Sequence, residues 1–302
     1  MQLKTLAAAI SVRQVIGSLD RNVESIAYDS RRVQRNGLFV ALRGEKTDGH
    51  AFIGQAIEKG ATAIVAEREE YPAYAGRAAF LLVENSREAL ADLAATFYGF
   101  PARKLRMAAV TGTNGKTTTS FLIKHICENA GLRCGLIGTV RYEIGERVLP
   151  ATRTTPESLD LQELLAQITN AGCKAAAMEV SSHAIAQGRI RGLEWDVAVF
   201  TNLTQDHLDF HGTMENYYAA KAKLFHSLAD QKKKRKPVAV VNIDDRYGEK
   251  LIGEISRKLT VVTYGMGVHA DFRASNYRME FGGTSFQLDA RGKSYLVRVP
   301  LI

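Results

Sequence analysis

Val110-Thr111-Gly112-Thr113-Asn114-Gly115-Lys116-Thr117-Thr118-Thr119 is the stretch that decides the fold. It follows an apolar strand expected over residues 107–111 and opens a helix expected over 116–130. Glycines let such a backbone curl until its N–H groups face phosphate oxygens, and the helix N-terminus adds a positive dipole. In this setting Lys116 reaches β- and γ-phosphates and the Thr117 hydroxyl suits Mg²⁺. Thr111, Gly112, Thr113, Asn114, Gly115, Lys116, Thr117 and Thr118 are therefore the candidate ATP-binding residues. The full phosphate-loop pattern puts its first glycine at position 110, which here is Val110, so the loop is a variant that uses Gly112 instead. A glycine-rich turn that merely caps a helix is the plain alternative, and the Gly-Lys-Thr context argues against it.

Outward from the loop, strands and helices alternate. Downstream, residues 135–140, 175–180, 197–201 and 238–242 read as strands, and 158–171 and 214–228 as helices. That alternation predicts a doubly wound, mostly parallel sheet. Beyond Ala270 the pattern changes to apolar–polar alternation over 285–289 and 294–299, with turns at Gly282-Gly283 and Arg291-Gly292, which predicts an added antiparallel meander. Upstream, residues 26–28, 38–42, 61–66 and 80–83 read as strands, 50–59 as a helix, and 86–98 as an amphipathic helix with Ser86 as N-cap. Gly99-Phe100-Pro101 breaks the pattern. The fold class is α/β, with an N-terminal α/β domain over 1–102 and a phosphate-loop domain over 103–302.

The bulk composition agrees. With 302 residues, 46% hydrophobic and 24% charged, the chain suits about two globular domains. Three cysteines, Cys127, Cys134 and Cys173, form no CxxC or Cys/His cluster, which argues against a disulfide framework or a structural zinc. The N-terminal apolar stretch is too short for a signal or a span, so a cytoplasmic protein with no membrane partner is expected. The net charge of +8 attracts polyanions, phosphate metabolites included. Lys232-Lys233-Lys234-Arg235-Lys236 reads as a solvated loop, and no nucleic-acid-binding motif accompanies it. A monomer with no nucleic-acid partner is expected. The apolar end Val299-Pro300-Leu301-Ile302 suggests a domain that continues past it.

Three further segments fall on the phosphate-loop edge. Glu179 ends a strand in Met178-Glu179-Val180-Ser181-Ser182-His183, and a carboxylate there lies in the ligand crevice of an open α/β sheet, a fit Mg²⁺ ligand. Asp206, His207, Asp209 and His211 crowd one loop, where metal ligation, acid/base work and helix capping all remain open. Lys221, in Tyr217-Tyr218-Ala219-Ala220-Lys221-Ala222-Lys223-Leu224-Phe225, reads on its own as a surface lysine of an amphipathic helix.

Gly-Thr-Asn-Gly-Lys-Thr-Thr resembles the loop of the Mur ligase family, which also embraces folylpolyglutamate synthetases and part of cyanophycin synthetases. The resemblance reverses the reading of Lys221: it implies that the lysine of Ala-Lys-x-x-Leu-Phe is carbamylated and, with His207, helps bind a second Mg²⁺, while Thr117 and Glu179 hold the first. Lys116, Lys221 and His207 are then the catalytic residues. Asp209 and His211 stay as loop-structuring candidates.

The N-terminal region discriminates within the family. Tyr28-Asp29-Ser30-Arg31-Arg32-Val33, Gly37 to Gly44 and Asp48-Gly49-His50 look like the UDP-binding domain of the tripeptide- and pentapeptide-forming members, although Asp29-Ser30 alone reads as a turn or cap pair. Thr152-Arg153-Thr154-Thr155-Pro156 and Gln187-x-Arg189 resemble the tripeptide-forming group. By that resemblance Tyr28, Ser30, Glu45, Lys46, Thr47, Thr154, Thr155, Ser181, Gln187 and Arg189 bind UDP-N-acetylmuramoyl-L-alanyl-D-glutamate, Arg189 clamping the D-glutamate carboxylate. The implied activity is ATP- and Mg²⁺-dependent addition of a third amino acid, meso-diaminopimelate or L-lysine, through an acyl phosphate, in peptidoglycan synthesis. The family continues past position 302 with the rest of the ATP domain and a third, amino-acid-binding domain. A pentapeptide-forming or cyanophycin-type ligase, and a binding module that does not ligate, are the alternatives.

Overall fold

The computed structural model describes residues 1–44, 47–68, 74, 76–231 and 236–300. Glu45, Lys46 and four members of the basic run, Lys232 to Arg235, lie outside the described residues. The described chain forms two compact units, divided between Lys104 and Leu105, with Pro156–Asn170 and Gln187–Leu193 counted in the first unit.

The first unit holds α1 (Leu3–Ala7), β1 (Val12–Ile16), β2 (Ser25–Ala27), β3 (Gly37–Val40), α2 (Ile53–Glu58), β4 (Ala61–Ala66), β5 (Ala79–Val83) and α3 (Ser86–Phe97). Its sheet runs β1-β5-β4-β3-β2, with β2 to β5 parallel and β1 antiparallel to β5. β3 and β5 are buried along their whole length, as parallel strands covered on both faces must be. Two apolar clusters lie against this sheet, one with Leu3, Leu6, Leu90 and Leu93 and the other with Ile53, Ala56 and Ile57. A later helix, Ser158–Asn170, numbered α5, packs on α3. The expected cap of α3 shifts by one residue. Asn85 has the extended backbone of a cap and accepts from Arg87 and Glu88 N–H, while the Ser86 side chain is buried and donates to Glu67.

The second unit contains β6 (Arg106–Thr111), α4 (Lys116–Asn129), β7 (Cys134–Ile137), β8 (Arg141–Ile144), β9 (Arg147–Pro150), β10 (Ala175–Glu179), α6 (Ser182–Ala186), β11 (Val197–Phe200), α7 (Leu208–His211), α8 (Met214–Asp230), β12 (Val238–Asn242), α9 (Arg246–Ile255) and β13 (Thr260–Gly265). The expected meander follows as β14 (Phe272–Glu280), β15 (Gly283–Ala290) and β16 (Lys293–Val299). One sheet orders them β16-β15-β14-β13-β12-β11-β6-β10-β7-β8-β9. Its middle is parallel, and antiparallel strands flank it at both ends. α4 packs against β6, β7 and β10, and α8 and α9 against β11 and β12.

The order places the site. β10 lies between β6 and β7, while β11 lies on the other side of β6, so the chain changes its direction of progress at β6. In an open parallel sheet ligands gather at such a switch, outside the carboxyl ends of the strands. Register brings the ends level: Glu179 pairs with Val110 and Phe200 with Thr111. The phosphate loop, Glu179 and the segment after Phe200 therefore share one edge.

Candidate nucleotide site

The phosphate loop curls because two of its residues adopt backbones closed to most side chains. Gly112 has φ 148° and Gly115 has φ 84°. A Cβ on Gly112 would collide with the Thr201 hydroxyl and press on the Asn202 backbone. The segment after β11 braces the loop. Thr201 Oγ1 donates to Asn114 O at 2.7 Å, Asn202 Oδ1 accepts from Asn114 N at 2.9 Å, and Thr113 N donates to Asn202 O at 2.9 Å. Thr113 Oγ1 donates to Thr204 O at 3.2 Å and accepts from Thr204 N at 3.0 Å.

Two lysines converge on this loop. Lys116 Nζ donates to Gly112 O and Thr113 O at 3.1 and 2.8 Å, and Lys221 Nζ donates to the same Gly112 O at 2.7 Å. Far from being a surface lysine, Lys221 is 1% exposed, because α8 turns it inward beneath the loop. Burial, and then the neighbouring Lys116 charge, lower its ammonium to about 7, with Asp206 opposing. Burial also lowers Lys116, against the pull of Glu179 and Asp206. A lysine at about 7 is substantially uncharged near neutral pH and so nucleophilic.

Opposite the lysines stands Glu179, with 0% exposure. Its carboxylate accepts from Thr117 Oγ1 at 2.9 Å, Thr139 N at 2.9 Å and Thr139 Oγ1 at 3.0 Å. A Cβ on Gly138 would collide with this carboxylate, so Glu179 fills a slot that only glycine leaves open. Thr154 touches Thr139 through their hydroxyls at 3.0 Å. Thr155 Oγ1 donates to Glu179 O at 2.9 Å and accepts from Ser181 N at 3.1 Å.

A histidine group lies beside Tyr217. The ring of His183 stands 4.8 Å from that of His207 and 5.6 Å from that of His211. His207 has a left-handed backbone, φ 51°, and its Nε2 faces Asp206 at 3.4 Å. His211 is buried, bonds Ser182 Oγ at 2.9 Å, and its proton affinity is lowered by burial first and by the neighbouring His183, Lys221 and His207 next. Among the described residues, no three His, Cys, Asp or Glu side chains converge as a metal site.

The chain is similar to known proteins in sequence and in fold. Residues 110–302 match the Mur ligase middle domain, and residues 22–98 match the Mur ligase family, catalytic domain. The chain belongs to the Mur ligase family. It is 42% identical over 99% of its length to the UDP-N-acetylmuramoyl-L-alanyl-D-glutamate–2,6-diaminopimelate ligase of Clostridium tetani, covering 60% of that protein. Among solved structures, one of a UDP-N-acetylmuramoyl-L-alanyl-D-glutamate–2,6-diaminopimelate ligase superimposes with a TM-score of 0.83 at 28% identity, over 100% of this chain and 60% of the other. MurF ligase from Thermotoga maritima, solved in complex with ADP, matches with a TM-score of 0.61 at 25% identity, over 91% of this chain and 57% of the other. The chain thus spans about 60% of the length of the Mur ligases it matches. No helix among the described residues is long and apolar enough to cross a membrane.

Within the Mur ligase frame the structure brings together two hydrogen-bonded groups that meet where Lys116 and Thr117 adjoin in the chain: Lys116 with Lys221 at Gly112 O, and Thr117, Thr154, Thr155 and Ser181 around Glu179 and Thr139. Among the expected substrate residues of the first unit, Glu45 and Lys46 lie outside the described residues and the others are already partnered. Tyr28 Oη donates to Asp160 at 2.5 Å, and its own proton is held tighter by burial and by that carboxylate. Ser30 Oγ donates to Gln55 at 2.7 Å, and Thr47 O closes a turn with Gly44 N. Arg189 lies 3.7 Å from Glu157, which also takes a 3.0 Å bond from Arg87, and Arg189 bonds Gln187. Sequence reasoning missed Thr139 and Tyr217. Thr139 lies two residues past the end of β7, and the strand-end logic that singled out Glu179 applies to it equally. Tyr217 carries no such signal.

Proposed function

We propose that this chain is the nucleotide- and muramoyl-peptide-binding portion of an ATP-dependent ligase that joins a third amino acid, meso-diaminopimelate or L-lysine, to UDP-N-acetylmuramoyl-L-alanyl-D-glutamate. The observation that carries the reading is the convergence of Lys116 and Lys221 on the Gly112 carbonyl, beside the Thr117–Glu179 pair. The half-buried Lys116 ammonium, the buried Lys221 amine and the N-terminus of α4 gather at a place where phosphate charge would accumulate.

The donor chemistry also fits Mg²⁺. Both Glu179 carboxylate oxygens and Thr117 Oγ1 are hard ligands gathered at one point. Thr117 and Glu179 would hold one ion, and Lys221, as a carbamate with His207, a second; bound there, Mg²⁺ supplies charge neutralisation between phosphates and an approaching carboxylate. The carbamate forms when the uncharged Lys221 amine attacks CO₂ and loses one proton, a step its lowered proton affinity favours.

In the proposed reaction a D-glutamate carboxylate oxygen attacks the γ-phosphorus and ADP leaves. The amine of the incoming residue then displaces phosphate and forms the amide. Lys116 and the loop N–H groups hold the triphosphate, so the contribution of these residues is positioning and charge balance. Arg189 and Arg87 around Glu157 leave one net positive charge for the substrate carboxylate.

Calorimetric titration of the 302-residue chain with UDP-N-acetylmuramoyl-L-alanyl-D-glutamate tests this, using the form without D-glutamate as control. Selective binding of the dipeptide form is expected. Equal binding of both forms would remove Arg189 from its role, and no binding by folded protein would count against the substrate assignment.

A further inference from the structure

Tyr217 lies at the centre of the lysine site and has no part in the chemistry described above. It is 1% exposed. Lys221, four residues later on α8, sets its Nζ over the Tyr217 ring, 4.6 Å from the centroid. Residues four apart share one helix face, so this stacking is built into the helix. The Tyr217 hydroxyl lies 3.2 Å from Thr113 Oγ1 in the phosphate loop. Thr113 gives its own proton to Thr204 O, so its oxygen accepts from both Thr204 N and Tyr217 Oη. Thr113 O in turn holds Lys116. On the ring's flanks stand His211, tilted at 5.0 Å, and His207, edge-on at 6.1 Å.

We propose that Tyr217 is a positioning residue of the nucleotide site, its ring face seating the Lys221 amine and its hydroxyl fixing the phosphate loop through Thr113. One side chain thereby sets the separation between Lys221 and the loop that carries Lys116. The two functions reside in different parts of the residue. The ring face packs against the Lys221 side chain and fixes where its amine lies, and the hydroxyl supplies one buried hydrogen bond. The assignment rests on the reading of this site as nucleotide-binding.

The test separates the two parts in the 302-residue chain with Tyr217→Phe and Tyr217→Leu. Calorimetry measures affinity for a non-hydrolysable ATP analogue with Mg²⁺. Spectra of the chain labelled with ¹³C at lysine Cε follow the ring-shifted ε-methylene protons of Lys221, assigned by their loss in Lys221→Arg. Tyr217→Phe should weaken the analogue about fivefold, the effect of one buried hydrogen bond, and leave the Lys221 resonance in place. Tyr217→Leu, which removes both the hydroxyl bond and the ring packing, should move that resonance and weaken the analogue by about tenfold or more. Unchanged affinity in both variants, an unmoved Lys221 resonance in Tyr217→Leu, or equal losses for Phe and Leu would overturn the proposal. If Tyr217→Leu does not fold, the shape-preserving Phe variant decides, and unchanged affinity there overturns it. Failure of the parent chain to bind the analogue would instead refute the nucleotide reading, and the Lys221 resonance would still judge Tyr217.

Discussion

The parallel middle of the large sheet and its antiparallel meander are built by the same backbone chemistry and do different things. β6, β10 and β11 are almost wholly buried, and each ends at one edge in a loop that carries a charged or hydrogen-bonding group. β14 to β16 are half-exposed along their length and present Tyr277, Met279 and Leu296 to solvent, with Phe281 exposed in the turn after β14. Buried strands force their polar business to their ends, because an unpaired polar group inside the sheet is costly. A meander wet on its faces meets no such demand, and no lysine or carboxylate of the nucleotide site comes from it.

Substitutions at the two places should therefore differ sharply. The largest effect is expected for Gly112→Ala, which puts a methyl group against Thr201 in a backbone that resists one. Denaturant titration should show a loss of about 3 kcal/mol, and calorimetry a loss of nucleotide affinity. A variant as stable as the parent would mean the loop relaxes freely and the contrast is weaker than drawn.

A smaller effect concerns Lys221 and pH. Its folded value of about 7 lies below the ordinary 10.5, so between these the unfolded chain binds more protons and stability rises with pH. Below about 7 both states are protonated and this dependence vanishes. In CO₂-free buffer the parent should gain about 2 kcal/mol between roughly pH 7 and pH 9, and Lys221→Met should flatten that slope. Parallel curves for parent and variant would show that Lys221 is not held uncharged by burial.

The smallest effects belong to the meander. Phe281→Ser and Leu296→Ser should each change stability by no more than about 0.5 kcal/mol and leave nucleotide affinity alone. A drop in nucleotide affinity for either would dissolve the division between the two regions.

That division also separates what the sequence made legible from what it did not. The buried parallel strands are apolar runs, and Ala61–Ala66 and Val238–Asn242 were readable to the residue. The phosphate loop was readable because its glycines answer to a specific backbone need. The hairpin of β8 and β9 was not, because four-residue strands around Gly145-Glu146 are too short to show a period. The N-cap at Asn85 was displaced to Ser86 because both side chains suit a cap and only the backbone and the pull of Glu67 choose between them. Taken alone, Lys221 read as a surface residue, and only the family resemblance moved it to the site, since its burial depends on a loop more than a hundred positions away, the Gly112 bond spanning 109 residues. Thr139 meets Glu179 across 40 residues for the same reason.

α8 acts as a ruler. Tyr217 and Lys221 are separated by one turn, and each residue advances a helix by about 100°. Exchanging the residues between them alters composition and leaves the interval intact, whereas inserting or deleting one swings the amine off the ring and away from Gly112. Selection on this helix therefore falls on length before identity: exposed Ala219 is free to drift toward other helix formers and buried Ala220 toward residues of its own size, while a change in their number is lethal to the site.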